Sequence, residues 1–249
     1  MVTKIPNGRS WIPTIVGIAI AAIIFFGIGY LASPPKIITY TSTITKETTA
    51  IQTQTIVRTL TATQTLPIAT SPASDLRATL RSLLIQHGEG HRLYAYALYF
   101  ENKDLQQVAV NELLANSKAL GDAVAQVYGR DAGNKFTELF NGHIKAVAMY
   151  YQSAFSANES GKREAVDLLT KNAMEIATFL SSANPNLPKE AVFSLLRDHA
   201  LQAMKQADLL AQGKISEESS IYIAMRNHLI LIADALADAI VKQFPEKFK

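Results

Sequence analysis

The sequence feature that most constrains the fold is a histidine that returns at a fixed interval. His87, His143 and His199 end the related segments LLIQH, LFNGH and LLRDH, and each is 56 residues from the next. The interval recurs with no insertion or deletion. Such a period predicts consecutive copies of one supersecondary unit, here three of them.

A second set of polar residues, Asn116, Asn172 and His228, has the same 56-residue period. A buried imidazole is costly unless its nitrogens form hydrogen bonds. One interpretation of the two sets is therefore structural, with His87 bonded to Asn116 and His143 bonded to Asn172 across a pair of helices. Such buried polar pairs would hold the two helices in register.

Apolar residues around these positions have the spacing of amphipathic helices. The first stretch places Leu84, His87, His91 and Tyr94 on one face, at intervals of three and four residues. There are six such stretches, and glycine or proline occurs at four of the five breaks between them, all but the one at residues 101–103. We therefore predict an all-α fold for residues 75–249, in which six antiparallel helices form three αα-hairpin repeats. No repeat has the polar outer face of a solenoid cap, which favours a closed bundle over an open array.

Residues 11–32 read WIPTIVGIAIAAIIFFGIGYLA and contain no charged side chain. About 20 apolar residues span a bilayer as a helix, and Trp11 and Tyr30 stand where interfacial aromatic residues are expected. The alternative is a cleaved signal peptide, whose apolar run is usually shorter than this one. We predict a single transmembrane anchor, with residues 1–10 in the cytoplasm and the helical domain on the other side of the cell membrane.

Residues 33–74 form a threonine-rich linker in which threonine often alternates with Ile, Val, Leu or Gln. An isolated strand of this length has no sheet to pair with, so we expect an extended stalk outside the cytoplasm. The segment Asn158-Glu159-Ser160 lies in a predicted loop and is an N-glycosylation acceptor sequence. Asn158 is therefore a candidate glycosylation site on the same side of the membrane.

The anchor with its threonine-alternating linker, residues 1–74, resembles the N-terminal regions of surface proteins from thermophilic archaea. The helical part has a recurring Leu/Phe-x-x-His pattern and the ending AIVKQFP, and it resembles all-helical bacterial and archaeal domains. These resemblances imply a helical fold and a cell-surface setting, and they imply no activity.

Charge and motif content argue against several functions. Residues 1–74 hold five basic residues and one acidic residue, so the net charge of +3 leaves −1 for the rest of the chain. A near-neutral domain gives no support for nucleic-acid binding. The chain has no cysteine, which excludes disulfides and thiolate ligands. The GxSxG, P-loop and GxGxxG motifs are absent, so no catalytic residue is predicted.

The five histidines are the candidate metal ligands. His199 and His228 would face each other on adjacent helices, where they could ligate zinc, copper or iron, or a haem from both sides. His87 and His91, one helical turn apart, form a second candidate pair. In a closed bundle, His87, His143 and His199 would instead meet as a three-histidine site with an open position.

These observations lead to two functional hypotheses. The first is a membrane-anchored extracytoplasmic module that acts by binding or assembly, without a catalytic centre or cofactor. It would engage a protein partner at the cell surface or in the bilayer. The second is a helical domain whose core histidines bind zinc, iron, copper or haem for redox chemistry or metal handling.

Overall fold

The computed structural model describes residues 71–249. They form six α-helices followed by one short 3-10 helix, and no strand occurs within this range. The elements are α1 (Pro72–Tyr99), α2 (Lys103–Tyr128), α3 (Arg130–Phe155), α4 (Glu159–Ala183), α5 (Lys189–Ala211), α6 (Ile215–Gln243) and the 3-10 helix Pro245–Lys247. The predicted all-α class and the six predicted helices are confirmed.

The first helix begins at Pro72, slightly before the predicted start at residue 75. The side chain of Ser71 accepts a hydrogen bond from the Ser74 amide at 3.2 Å and so caps the helix. Proline is favoured at the first helical position because its missing N–H would have no helical partner there. Ser71 and Pro72 together therefore set the boundary.

The predicted membrane anchor, residues 11–32, lies outside the described residues, as does the linker up to residue 70. Between residues 71 and 249, no helix is long and apolar enough to cross a membrane.

The six helices form a closed ring. Each helix packs against the next one along the chain, and α6 packs against α1. The connections are short, so consecutive helices run antiparallel. Helices α1, α3 and α5 also contact one another, and they therefore line the central axis while α2, α4 and α6 lie between them. The closed arrangement that the sequence favoured is the one observed.

The three loops within the hairpins share one backbone conformation. Glu101, Ala157 and Gly213 each have a positive φ, of 53°, 53° and 72°. In the first loop the Asn102 amide donates to the Ala97 carbonyl at 2.9 Å, which is the long hydrogen bond of a Schellman motif. The other two loops contain the equivalent bond. These loops thus recur at the same 56-residue interval, although glycine occupies the left-handed position only in the third.

We expect the Ala157→Gly substitution to stabilise the protein by about 0.5–1 kcal/mol, because it relieves the left-handed strain of a Cβ atom. The Gly213→Ala substitution places a Cβ atom in the same conformation and should destabilise it by about 1 kcal/mol. Urea unfolding followed by circular dichroism measures both. Shifts of the same sign in the two variants would contradict this account of the loops.

Candidate metal centre

Three histidines from the inner helices meet on the bundle axis. His87 of α1, His143 of α3 and His199 of α5 are 1%, 8% and 3% exposed. Their ring centroids are 5.3 Å apart for His87–His143, and 5.7 Å apart for both His87–His199 and His143–His199. The sides of this triangle are nearly equal because positions one period apart lie at one height around the axis. The convergence expected of a closed bundle is therefore observed.

His91 joins this triangle from α1. It lies one helical turn after His87 and is 1% exposed, and its Nε2 atom is 3.1 Å from Nε2 of His87. One nitrogen from each of His87, His91 and His143 lies within 4.8 Å of the other two. We call His87, His91, His143 and His199 the histidine cluster.

Two glycines allow the neighbouring helices to pack closely around the α1 histidines. A Cβ atom on Gly88 would lie 2.6 Å from Cδ1 of Leu229 in α6, and one on Gly90 would lie 2.9 Å from Cδ2 of Leu113 in α2. Both distances are shorter than the ~3.5 Å of a carbon–carbon contact. Glycine lowers the helix propensity of the HGEGH segment, but it lets α2 and α6 pack closely against the turn of α1 that contains His87 and His91.

The second polar set bonds main-chain carbonyls. In each hairpin, a side chain of the second helix bonds a carbonyl oxygen of the first helix, 33 residues earlier. The three contacts are Asn116 Nδ2 to Leu83 at 2.8 Å, Asn172 Nδ2 to Leu139 at 2.9 Å and His228 Nε2 to Leu195 at 2.8 Å. The set therefore holds each hairpin in register, as the structural interpretation required.

The predicted partners of these amides, however, are wrong. Asn116 does not bond His87, and Asn172 does not bond His143, because each amide reaches the carbonyl one turn before the histidine. A carbonyl oxygen has two lone pairs, and the helix uses only one of them. The second lone pair takes the amide, and the imidazoles stay without these partners.

The two remaining candidate residues are not members of the histidine cluster. His228 is half-buried, and its Nε2 atom contacts the Leu195 carbonyl at 2.8 Å. Its ring forms none of the close ring pairs that join the other four histidines. Asn158 is exposed and caps α4, where its side chain accepts from the Gly161 amide at 3.0 Å. Its glycosylation stays a prediction.

The cluster holds buried imidazole nitrogens without hydrogen-bond partners among residues 71–249: His87 Nδ1, His143 Nε2 and both nitrogens of His199. Burial lowers the pKa of His143 to about 4. Burial, with repulsion from His143 and His228, lowers the pKa of His199 to about 3. Burial and the neighbouring imidazoles also hold the pKa of His87 and His91 well below the ordinary value. The cluster is therefore neutral at pH 7, which is the form that binds transition metals.

The types of ligand atom in the cluster limit which metal ions or cofactors it can bind. Among residues 71–249 the converging donors are all histidines, and the adjacent Asp198 is 46% exposed and paired with Arg197. Zinc, copper, iron and nickel accept imidazole, whereas magnesium and calcium prefer oxygen ligands. A haem does not fit between these rings as packed, because their centroids are only 4.3–5.7 Å apart.

Acidification should destabilise the metal-free protein. The folded-state pKa values are lowered, so below pH ~6.5 the unfolded chain takes up protons that the folded cluster does not. For His143 alone, stability on the order of 3 kcal/mol is present above pH ~6.5 and lost as the pH falls towards about 4. Urea unfolding with a chelator at pH 7.5, 6.5 and 5.5 measures the loss above the range in which carboxylates titrate.

The His143→Leu variant provides the comparison for this prediction. It removes one titrating group, so its stability should fall less steeply with pH than that of the unsubstituted protein. If the unfolding free energy of the two proteins fell equally with pH, or did not fall at all between pH 7.5 and 5.5, the cluster histidines would not be buried in the neutral form.

A buried polar network lies beside the cluster. The fully buried carboxylate of Glu218 accepts two hydrogen bonds from Arg92, at 2.9 and 3.0 Å, and one from the Tyr96 hydroxyl at 2.9 Å. The Gln206 amide donates to Glu218 at 2.5 Å, and the Tyr151 hydroxyl donates to Gln206 at 3.4 Å. The carboxylate charge is thus neutralised by a guanidinium and fully hydrogen-bonded, as a buried charge requires.

Sequence reasoning missed this network, although one signal for it was present. Tyr94, Tyr150 and Gln206 are one period apart, so the third inner helix carries an amide where the others carry a phenol. Tyr151 links the network to the cluster, since its ring is 6.2 Å from that of His91. Gln206, which stands where the other two inner helices have tyrosine, bonds the Glu218 carboxylate of α6.

The Glu218→Ala substitution should cost about 3–5 kcal/mol of unfolding free energy, because it leaves Arg92 and Gln206 without their buried partner. The matched control is Asp238→Ala, which removes the ion pair between Asp238 and Arg77. The Asp238 side chain is 66% exposed, so this substitution should cost less than about 1 kcal/mol of unfolding free energy. Thermal or urea unfolding measures both. Similar small losses in the two variants would show that the network does not stabilise the fold.

Comparison of the chain with protein families, with curated proteins and with solved structures finds no match.

Proposed function

We propose that this protein is a membrane-anchored, extracytoplasmic helical module that binds one transition-metal ion at the histidine cluster. The observation that carries the proposal is the meeting of four buried imidazoles on the bundle axis, with nitrogens that no group in residues 71–249 satisfies. Leaving such atoms unpaired costs roughly 1–3 kcal/mol each. A metal ion is the partner that several converging imidazoles can share.

We infer that the helical domain consists of three copies of one hairpin. The inference is supported by features that recur every 56 residues: the cluster histidines, the side-chain bonds to first-helix carbonyls, and the left-handed loop residues. Repetition explains why a single binding site forms. Each hairpin contributes one imidazole to the histidine cluster, to which α1 adds His91, and closure of the ring brings these imidazoles together.

The burial of the cluster favours metal binding over catalysis. Catalytic metal sites keep a coordination position that substrate can reach, whereas structural and storage sites are enclosed by protein ligands. The four cluster residues are between 1% and 8% exposed, so a substrate in solution has no access. The bound ion would instead be held, and released when the bundle opens.

A protein partner at the membrane surface is a second candidate function. The end of α1 carries three aromatic rings in contact, those of Tyr96, Tyr99 and Phe100, and Phe100 is 65% exposed. Aromatic side chains are enriched at protein interfaces. This end of the bundle is therefore the surface that we propose for partner binding.

The metal-binding proposal is tested with the full-length chain in detergent, purified without a polyhistidine tag and stripped with a chelator. We expect it to take up one zinc or copper ion per chain, measured by mass spectrometry of the eluted metal. The bound ion should also raise the unfolding free energy, by about 2.7 kcal/mol when free metal is 100 times the Kd.

Two variants locate the site. The His143→Leu substitution removes a cluster imidazole and should abolish uptake. The His228→Asn substitution is its control, because asparagine occupies the equivalent position in the other two hairpins and bonds the same type of carbonyl. Uptake should survive this change. No uptake by the unsubstituted protein, or equal loss in the two variants, would reject the cluster as the site.

A further inference from the structure

The charge balance of the histidine cluster bears on which metal ion it holds. This inference rests on the proposed metal site and concerns the identity of the ion. All the converging donors within residues 71–249 are neutral imidazoles. Glu218, the buried carboxylate of the neighbouring polar network, is already neutralised by Arg92. A bound cation would therefore keep its full charge inside the bundle.

The surroundings of the cluster offer little to stabilise that charge. The ring centroid of the apolar Phe140 side chain lies 4.6 Å from that of His87 and 5.7 Å from that of His143. Within residues 71–249, no carboxylate contributes to the shifted pKa values of the four cluster imidazoles, which are lowered by burial and by neighbouring histidines. The solvation energy that an ion loses on burial rises with the square of its charge. A divalent ion thus forfeits about four times as much as a monovalent one of equal size.

The geometry also favours a low coordination number. Three nitrogens, from His87, His91 and His143, lie within 4.8 Å of one another. Among residues 71–249, no group of three that includes His199 brings its nitrogens within the same distance of one another, although the His199 ring is as far from that of His143 as the His91 ring is, 5.7 Å. A structural zinc site takes four protein ligands in a tetrahedron, and a zinc ion held by three histidines keeps a water in the fourth position, which the burial of the cluster disfavours. Monovalent copper is satisfied by two or three soft or borderline donors, and imidazole is a copper ligand.

We infer that the cluster is selective for monovalent copper, bound in a trigonal set by His87, His91 and His143. His199 packs against this set and supplies no ligand. No redox step is required, because the reduced ion is the species bound.

The test uses the full-length chain in detergent, metal-free and under anaerobic conditions. Copper(I) is titrated in competition with a chromophoric copper(I) chelator, and zinc(II) in competition with a zinc indicator. We expect one copper(I) per chain, bound at least about 1,000-fold more tightly than zinc(II). The His143→Leu substitution should weaken copper(I) binding by about 100-fold or more, and His199→Leu by less than about fivefold. The His228→Asn control should leave it unchanged.

The other possible outcomes distinguish the ion selectivity, the trigonal ligand set and the metal site itself. Zinc(II) binding as tight as copper(I) binding would overturn the selectivity and leave the metal site standing. Equal losses of copper(I) affinity in the His143→Leu and His199→Leu variants would overturn the trigonal set. Absence of binding by either ion would overturn both this inference and the proposed function. Copper(I) binding that is weakened by His228→Asn alone would place the ion outside the cluster and would overturn both as well.

X-ray absorption of the unsubstituted protein loaded with copper(I) gives an independent readout, which does not depend on any variant folding. Three imidazole nitrogens around the ion are expected. Four imidazoles, or ligands other than imidazole, would overturn the inference.

Discussion

The packing of α6 against α1 is the contact on which the centre of this protein depends. If the hairpins were stacked in an open array, equivalent histidines would lie one repeat apart along a ladder, at helix spacings of about 8–10 Å. Closing the ring turns that ladder into a triangle with sides of 5.3–5.7 Å. Closure also removes the imidazoles from water, which keeps them neutral. One packing interaction thus creates both the geometry and the protonation state of the site.

The threefold pattern of the inner helices is broken at the histidine cluster. His91 stands one helical turn beyond the shared histidine position, and the positions one period later hold Val147 and Ala203. The closest group of donors is therefore made by two residues of α1 and one of α3. A symmetric triangle alone would offer three donors at wider spacing. The additional histidine draws the site towards α1, where Gly88 and Gly90 let the outer helices pack closely.

The buried network around Glu218 is a second departure from the period, and it has a different physical basis. Apolar contacts between helices need no specific partner, but an ionised carboxylate inside a bundle requires a cation and further hydrogen-bond donors. Arg92 supplies the cation, and Tyr96 and Gln206 supply the donors. These residues come from α1, α5 and α6, so the network joins the first and last hairpins across the closing contact. It therefore reinforces the packing on which the histidine cluster depends.

The sequence by itself determined the helical class, the six helices and the positions of the inner histidines, because these follow from spacing along one chain. It also indicated that the closed form would bring His87, His143 and His199 together. Only the tertiary structure decided that Asn116 reaches the Leu83 carbonyl, that His91 joins the cluster while His228 does not, and that Glu218 is buried against Arg92. The spacing of apolar residues along the sequence indicates which face of a helix a residue occupies. Which atom it meets depends on the rotation, height and approach of a second helix, and those are set by packing the whole bundle.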